Sequence, residues 1–237
     1  MASARDSSPN RDVSAAMGGG EEQAFIEVFD TACVLIRNAL TLEEQERLCA
    51  YIEEKDKTPA GKPRAMVPAP QTLILGEDGH PQVRYVRGED PTVVSALVEK
   101  ASGILKQQLV DPASCPLISN GKFKICDYRS LAMATIRYEA PDGRFPAHVD
   151  HCSDSFVVLA SLGRTANFMV KGLSMDARKD FKFCSGDVLV FDASTTAALL
   201  HSCVSIDESA SPAGGLLASK FPVLQKHRYG VQCRVFF

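Results

Sequence analysis

From Ala132 to the C-terminus the chain is written in short apolar runs. These are Met133 to Tyr138, Phe156 to Leu162, Ala166 to Val170, Asp187 to Phe191, Ala198 to Cys203 and Tyr229 to Phe237, separated by Gly, Asp and Ser. Runs of this length bounded by turn residues are strands. No helical pattern alternates with them, so a parallel sheet of βαβ units is excluded, and an antiparallel barrel or double-sheet jelly roll is expected. The half before it reads differently. Order is expected from Phe25, with a strand across Ala32 to Leu40. Thr41 and Glu44 then stand in capping-box spacing, and Leu48 and Ile52 lie one turn apart, so a helix ends near Lys57. Pro59, Gly61, Pro63, Pro68 and Pro70 forbid regular structure over residues 58–70. A hairpin follows, pairing Leu73–Leu75 with Val83–Val86 across a turn-rich Gly76 to Pro81. Asp90 before Pro91 caps a second helix to about Leu109, whose stripe is Val93, Leu97, Ala101, Ile104 and Leu105. The expected fold is therefore α+β: a jelly-roll barrel over about 132–237, supporting N-terminal helices, and a hairpin and loop lid over about 58–88.

At 237 residues the chain fits one domain, 23–237, behind a tail, 1–22, too poor in large apolar residues to order itself. No apolar run approaches the ~18 residues needed to span a membrane, and a monomer is expected. Eight cysteines without a C-x-x-C pair point to a reducing compartment, nucleus or cytosol; the Ala/Ser/Arg-rich start leaves an organelle address open, although Asp6 and Asp12 oppose it. The net charge of -3 excludes a strongly basic chain, but it is unevenly spread: -7 over residues 1–54 and +4 over 55–237. An anionic partner would meet the later part.

The strongest local feature is Phe145-Pro146-Ala147-His148-Val149-Asp150. On a strand His148 and Asp150 share a face with Cα atoms roughly 6 to 7 Å apart, close enough to chelate one ion. An H-x-D tripeptide alone is more often a solvated strand end. Fifty-one residues later, however, His201 interrupts the apolar run Ala197-Ala198-Leu199-Leu200. A histidine there is either a hydrogen-bonded core residue or the third member of a two-imidazole, one-carboxylate triad that suits Fe(II) and leaves coordination positions open. The C-terminal strand carries Arg228, Gly230, Gln232 and Arg234 on one face. Two arginines inside a barrel are costly unless an anion meets them, and a dicarboxylate would satisfy both. They lie about 20 Å apart on an ideal strand, so sharing one small ligand needs curvature; an outer-rim position for one is the alternative. His151 and His227 face away from these groups and read as structural or surface residues, and His80 as solvated.

These residues resemble the AlkB-like Fe(II)/2-oxoglutarate-dependent dioxygenases over roughly Thr135 to Phe237. The matching order runs from Arg137-Tyr138 through H-x-D, Ser161-Leu162-Gly163 with Ala166 and Phe168, and Gly186-Asp187-Val188 to His201, and ends at Arg228-Tyr229 with Arg234 six residues on. The R-x5-R ending is the most specific part. The resemblance implies His148, Asp150 and His201 as iron ligands, Tyr138 and Arg228 as contacts to 2-oxoglutarate, and Arg234 as a second arginine on the cosubstrate side. Where that family often has Asn two residues before the tyrosine, this chain has Ile136, which cannot hydrogen-bond the cosubstrate. The long gap from His201 to Arg228, filled by Ser209 to Gly215, reads as a surface insertion.

The resemblance further implies Fe(II), 2-oxoglutarate and O2 as cofactor and cosubstrates, and oxidative demethylation of N-alkylated nucleobases in DNA or RNA with release of succinate, CO2 and formaldehyde. In that family the segment between the first helix and the barrel grips the nucleotide. Here it carries Lys55, Lys57, Lys62, Arg64, Arg84 and Arg87 against Asp56, Glu77 and Asp78. Arg64 and Arg84 would track phosphates and Tyr85 would stack on a base, though a solvated loop accounts for the same charges. The absence of tryptophan and the net acidity favour a first rival, a hydroxylase of a protein or small molecule. A second rival is a binding module on the same barrel that has lost turnover, for which Ile136 is the hint.

Overall fold

The computed structural model describes residues 23–56, 71–75, 81–85, 91–108, 130–150 and 155–236. The expected tail 1–22 and most of the lid, including Arg64, lie outside the described residues, as do His80 and His151. A first hairpin pairs β1 (Phe25–Asp30) with β2 (Cys33–Arg37). Helix α1 (Leu42–Asp56) follows, opened by the capping box: the Thr41 amide donates to Glu44 Oε2 at 2.8 Å and the Glu44 amide to Thr41 Oγ1 at 3.2 Å. The hairpin β3 (Gln71–Leu75) and β4 (Pro81–Tyr85) has Leu73 opposite Val83, and α2 runs Pro91–Gln108.

Seven strands complete the jelly roll. They are β5 (Ser130–Glu139), β6 (Phe145–Val149), β7 (Ser155–Lys171), β8 (Lys179–Phe183), β9 (Val188–Asp192), β10 (Leu200–Ala210) and β11 (His227–Phe236). Between the last two stand α3 (Pro212–Lys220) and a single 3-10 turn, Pro222–Gln225. The larger sheet runs β1-β2-β9-β7-β11-β5-β3-β4; the smaller runs β6-β10-β7-β8. All pairings are antiparallel except β3 with β5. The two runs expected at Phe156 to Leu162 and Ala166 to Val170 are one 17-residue strand that passes from the larger sheet to the smaller. Gly163 lies between the two halves at φ +88, a left-handed conformation that glycine adopts without strain. Among the described residues the strand order stays open and does not close into a complete barrel.

Alternation along β7 sorts the core. Phe156, Val158, Ala160 and Leu162 face the helices, packing with Leu48 and Ile52 of α1, Leu97 and Leu105 of α2, and Leu217 of α3. Val157 and Leu159 face the other way, into a second cluster between the sheets with Ile136, Tyr138, Phe168, Phe183 and Phe191. The molecule is thus three layers: helices, larger sheet, smaller sheet.

The expected surface insertion, Ser209 to Gly215, is exposed at Ser209, Pro212 and Gly215 but opens a helix that joins this packing. Ser211 caps α3 by accepting from the Gly214 amide at 3.2 Å, and Leu217 is fully buried. Gly214 presses so closely on the Gly163 carbonyl that a Cβ would lie 2.2 Å from its oxygen. The helix was not read because two glycines and a serine resemble loop punctuation, whereas here Gly214 permits a close approach of helix to strand.

Candidate metal centre

The smaller sheet brings the triad together. His201 on β10 stands directly opposite His148 on β6, and Asp150 lies one residue beyond the end of β6. One ligand atom from each of the three residues falls within 4.8 Å of the others, a spacing that one ion can bridge. The imidazole centroids are 4.2 Å apart, and His148 Nε2 lies 3.7 Å from Asp150 Oδ1. Aromatic neighbours hold both rings, Phe145 at 4.5 Å from His148 and Phe191 at 4.7 Å from His201.

Each ring is held at Nδ1 by a backbone carbonyl. His148 Nδ1 lies 2.8 Å from the Pro146 carbonyl and His201 Nδ1 lies 3.1 Å from the Leu199 carbonyl. A carbonyl only accepts, so both Nδ1 atoms carry hydrogen, and in the neutral form of each ring the lone pair then lies on Nε2. Burial, then the neighbouring His148, lowers the His201 pKa to about 4, so the imidazole is in its neutral, metal-binding form at physiological pH. Asp150 divides its oxygens: Oδ2 accepts from Arg234 Nη2 at 2.7 Å, while Oδ1 faces His148. Arg234 also donates to Ser155 Oγ at 3.4 Å. The shorter of the two contacts thus joins Arg234 to a member of the triad, in the manner of an outer-shell residue.

Arg228 is a different case. It is 1% exposed on β11, opposite Tyr138 on one side and Gly163 on the other. Its guanidinium donates through Nε and Nη2 to Ser161 Oγ, at 3.3 and 3.1 Å, and its Cζ lies 5.3 Å from the Tyr138 ring centroid and 5.1 Å from that of Phe183. Among the described residues no carboxylate pairs with it. The other titratable groups around it are neutral. Burial pushes the Tyr138 hydroxyl above its usual range and the Cys203 thiol up to about 11, with Arg228 pulling both down by less. A fully buried cation with a hydroxyl and two ring faces as its surroundings is an expensive arrangement that an incoming carboxylate would relieve.

The two arginines do share the inward face, as the alternation requires, but their contacts differ: Arg228 bonds Ser161, whereas Arg234 bonds Asp150 and Ser155. Ile136 is 7% exposed, two residues before Tyr138, in the cluster between the sheets. His227 lies on the opposite face from Arg228, half-buried, with Nδ1 unpartnered among the described residues. Arg84 and Tyr85 fall on β4, and their side chains lie outside what is described. Sequence reasoning missed Ser161 and Cys203 as neighbours of Arg228. Ser161 had a signal: it is a hydroxyl at the inward-facing position after Val157 and Leu159, which a strand lining only apolar core would fill with another aliphatic residue.

No protein-family model and no curated protein matches the sequence. Solved structures do. OsALKBH1 superposes with a TM-score of 0.57 over 88% of this chain and 100% of that chain at 16% identity. A Pseudomonas putida prolyl-4-hydroxylase gives 0.49 over 86% and 92% at 10% identity. A Trichoplax adhaerens prolyl hydroxylase in complex with a hypoxia inducible factor peptide gives 0.47 over 87% and 84% at 12% identity. At these identities the likeness is one of architecture: the chain shares the jelly-roll fold of OsALKBH1.

Proposed function

We propose that this chain is an Fe(II)- and 2-oxoglutarate-dependent dioxygenase that demethylates N-alkylated nucleobases in DNA or RNA. The observation that carries the chemistry is the pairing of two sites on the inward face: a His-Asp-His triad with its imidazole lone pairs on Nε2, and a buried Arg228 with no carboxylate among the described residues. The donor set fits Fe(II), and the lone buried cation fits the far carboxylate of 2-oxoglutarate. Iron and cosubstrate, when bound, supply the oxidising power to hydroxylate a C–H bond with release of succinate and CO2.

The protein's own residues set the conditions for that chemistry. His148, Asp150 and His201 would hold the metal through two imidazole nitrogens and one carboxylate oxygen. Arg234 fixes the second oxygen of Asp150 so that Oδ1 alone is presented. Arg228 anchors and orients the cosubstrate, while the Tyr138 and Phe183 rings pack beside its guanidinium. Hydroxylation of an N-methyl carbon gives a hemiaminal, which releases formaldehyde and the free amine.

The nucleic-acid part rests on the AlkB-like order of motifs, on the fold shared with OsALKBH1, and on the +4 charge of residues 55–237. Cys49, Cys184, Cys203 and Cys233 are free thiols, which is in keeping with a reducing compartment, nucleus or cytosol. The test is a panel of N-methylated DNA and RNA oligonucleotides, scored by formaldehyde release and by a mass loss of one methylene. Succinate production accelerated by at least one member is the expected result. Stimulation by protein extracts alone would move the substrate to a protein side chain, and no cosubstrate turnover with any partner would make the chain a binding module.

A further inference from the structure

We infer that Ser161 is a positioning residue that decides which edge of the Arg228 guanidinium meets the cosubstrate, an inference that rests on the dioxygenase reading above. Ser161 is fully buried on β7, opposite Gly230 of β11. A serine hydroxyl has one proton, and this one is committed: Oγ donates to the Phe183 carbonyl at 3.2 Å. Toward Arg228 it can only accept, and it takes Nε–H at 3.3 Å and one Nη2–H at 3.1 Å. Of the five guanidinium N–H groups, the side-on fork made by Nε and Nη2 is therefore occupied. Both Nη1 hydrogens and the second Nη2 hydrogen are left, so a carboxylate is received by the end-on fork.

The surroundings of that free end agree. A Cβ built on Gly230 would lie 3.6 Å from Arg228 Nη1 and 3.4 Å from Tyr138 Cε2, so the missing side chain keeps the Nη1 end uncrowded. The Tyr138 and Phe183 rings, at 5.3 and 5.1 Å, limit rotation of the guanidinium plane. Phe183 thus acts twice, through its ring on Arg228 and through its carbonyl on Ser161. The hydroxyl aims a charge and satisfies two buried donors, and it leaves the metal ligands alone.

The role predicts a selective defect. Without the hydroxyl, Nε–H and one Nη2–H lose their buried acceptor, and the guanidinium must turn to share its donors between the cosubstrate and whatever remains. The experiment is calorimetric titration of two 2-oxo acids into protein loaded anaerobically with Fe(II): 2-oxoglutarate, and pyruvate, which lacks the far carboxylate. For Ser161→Ala the expected result is a loss of about tenfold in 2-oxoglutarate affinity, with pyruvate binding unchanged and kcat at saturating 2-oxoglutarate within about twofold. In an Arg228→Lys background the same change adds less than about twofold, because the residue it acts through is gone. Should Ser161→Ala not fold, Ser161→Cys keeps the volume with a poor acceptor and is expected to show the same selective loss. Equal weakening of both acids, or 2-oxoglutarate affinity within threefold of wild type, would overturn the inference and leave the dioxygenase reading standing. A wild-type protein that binds no 2-oxoglutarate would instead overturn that reading itself.

Discussion

Asp150 illustrates how much of a metal site is decided one atom away from the metal. Its two oxygens are chemically equivalent in isolation, and Arg234 makes them different by holding Oδ2 at 2.7 Å. The two imidazoles are treated likewise by the Pro146 and Leu199 carbonyls. Because the pair of Asp150 and Arg234 is mostly withdrawn from solvent, it orients the carboxylate more than an exposed ion pair would. Arg234→Met, which keeps the stem and removes the charge, is therefore expected to lower Fe(II) affinity by about 10- to 100-fold. Anaerobic metal titration measures it, and wild-type affinity in the variant would make the pair incidental. Arg228→Lys keeps a charge but loses the planar fork, so 2-oxoglutarate binding measured by calorimetry should fall by at least about tenfold. The triad could be read from spacing because period-two alternation fixes which residues share a face, and His201 breaks an apolar run. The partition of Asp150 between metal side and arginine could not, since Arg234 is 84 positions away in the chain and nothing local records that the residue after β6 reaches β11.

Among the elements, those with strong local signals formed as the pattern requires: the Thr41 and Glu44 capping box, the Pro91 helix start, and the hairpin with Leu73 opposite Val83. The elements that escaped the pattern lack such signals. Strand β8, Lys-Asp-Phe-Lys-Phe, reads as a charged surface cluster, yet its Phe181 and Phe183 supply the aromatic packing beneath Phe168, and the pairing with β7 is what makes it a strand. Tertiary contact overrides weak propensity there. Helix α3 is the second case. Its fully buried Leu217 joins the cluster beneath the helices, so Leu217→Ala should destabilise the protein by about 2 to 5 kcal/mol, as for other buried leucines. Denaturant unfolding measures this. A change below about 0.5 kcal/mol would return the segment to the status of a surface insertion.

At the scale of the molecule, the three layers divide the labour. The helices cover one face of the larger sheet and leave the other face, with the smaller sheet opposite it, to enclose the site. The same enclosure carries an acid liability. With its pKa lowered to about 4, chiefly by burial, His201 stays neutral in the folded protein while the unfolded chain takes up a proton below about 6.5. The unfolded state thus binds more protons between these values. The metal-free protein should keep its full stability from this source above about pH 6.5 and lose it progressively as the pH falls toward 4. Denaturant midpoints of the metal-free protein across this range measure the slope, which His201→Gln should flatten. Wild-type and variant slopes that coincide would show that burial of His201 is not its source.

The central claim, that His148, Asp150 and His201 converge on one ferrous ion with 2-oxoglutarate chelated beside it, is tested most directly by anaerobic titration of Fe(II) and 2-oxoglutarate followed by visible absorption. The account predicts the weak charge-transfer band of the chelate in the wild type and its loss in His148→Ala. An undiminished band in that variant, or none in the wild type, would contradict it.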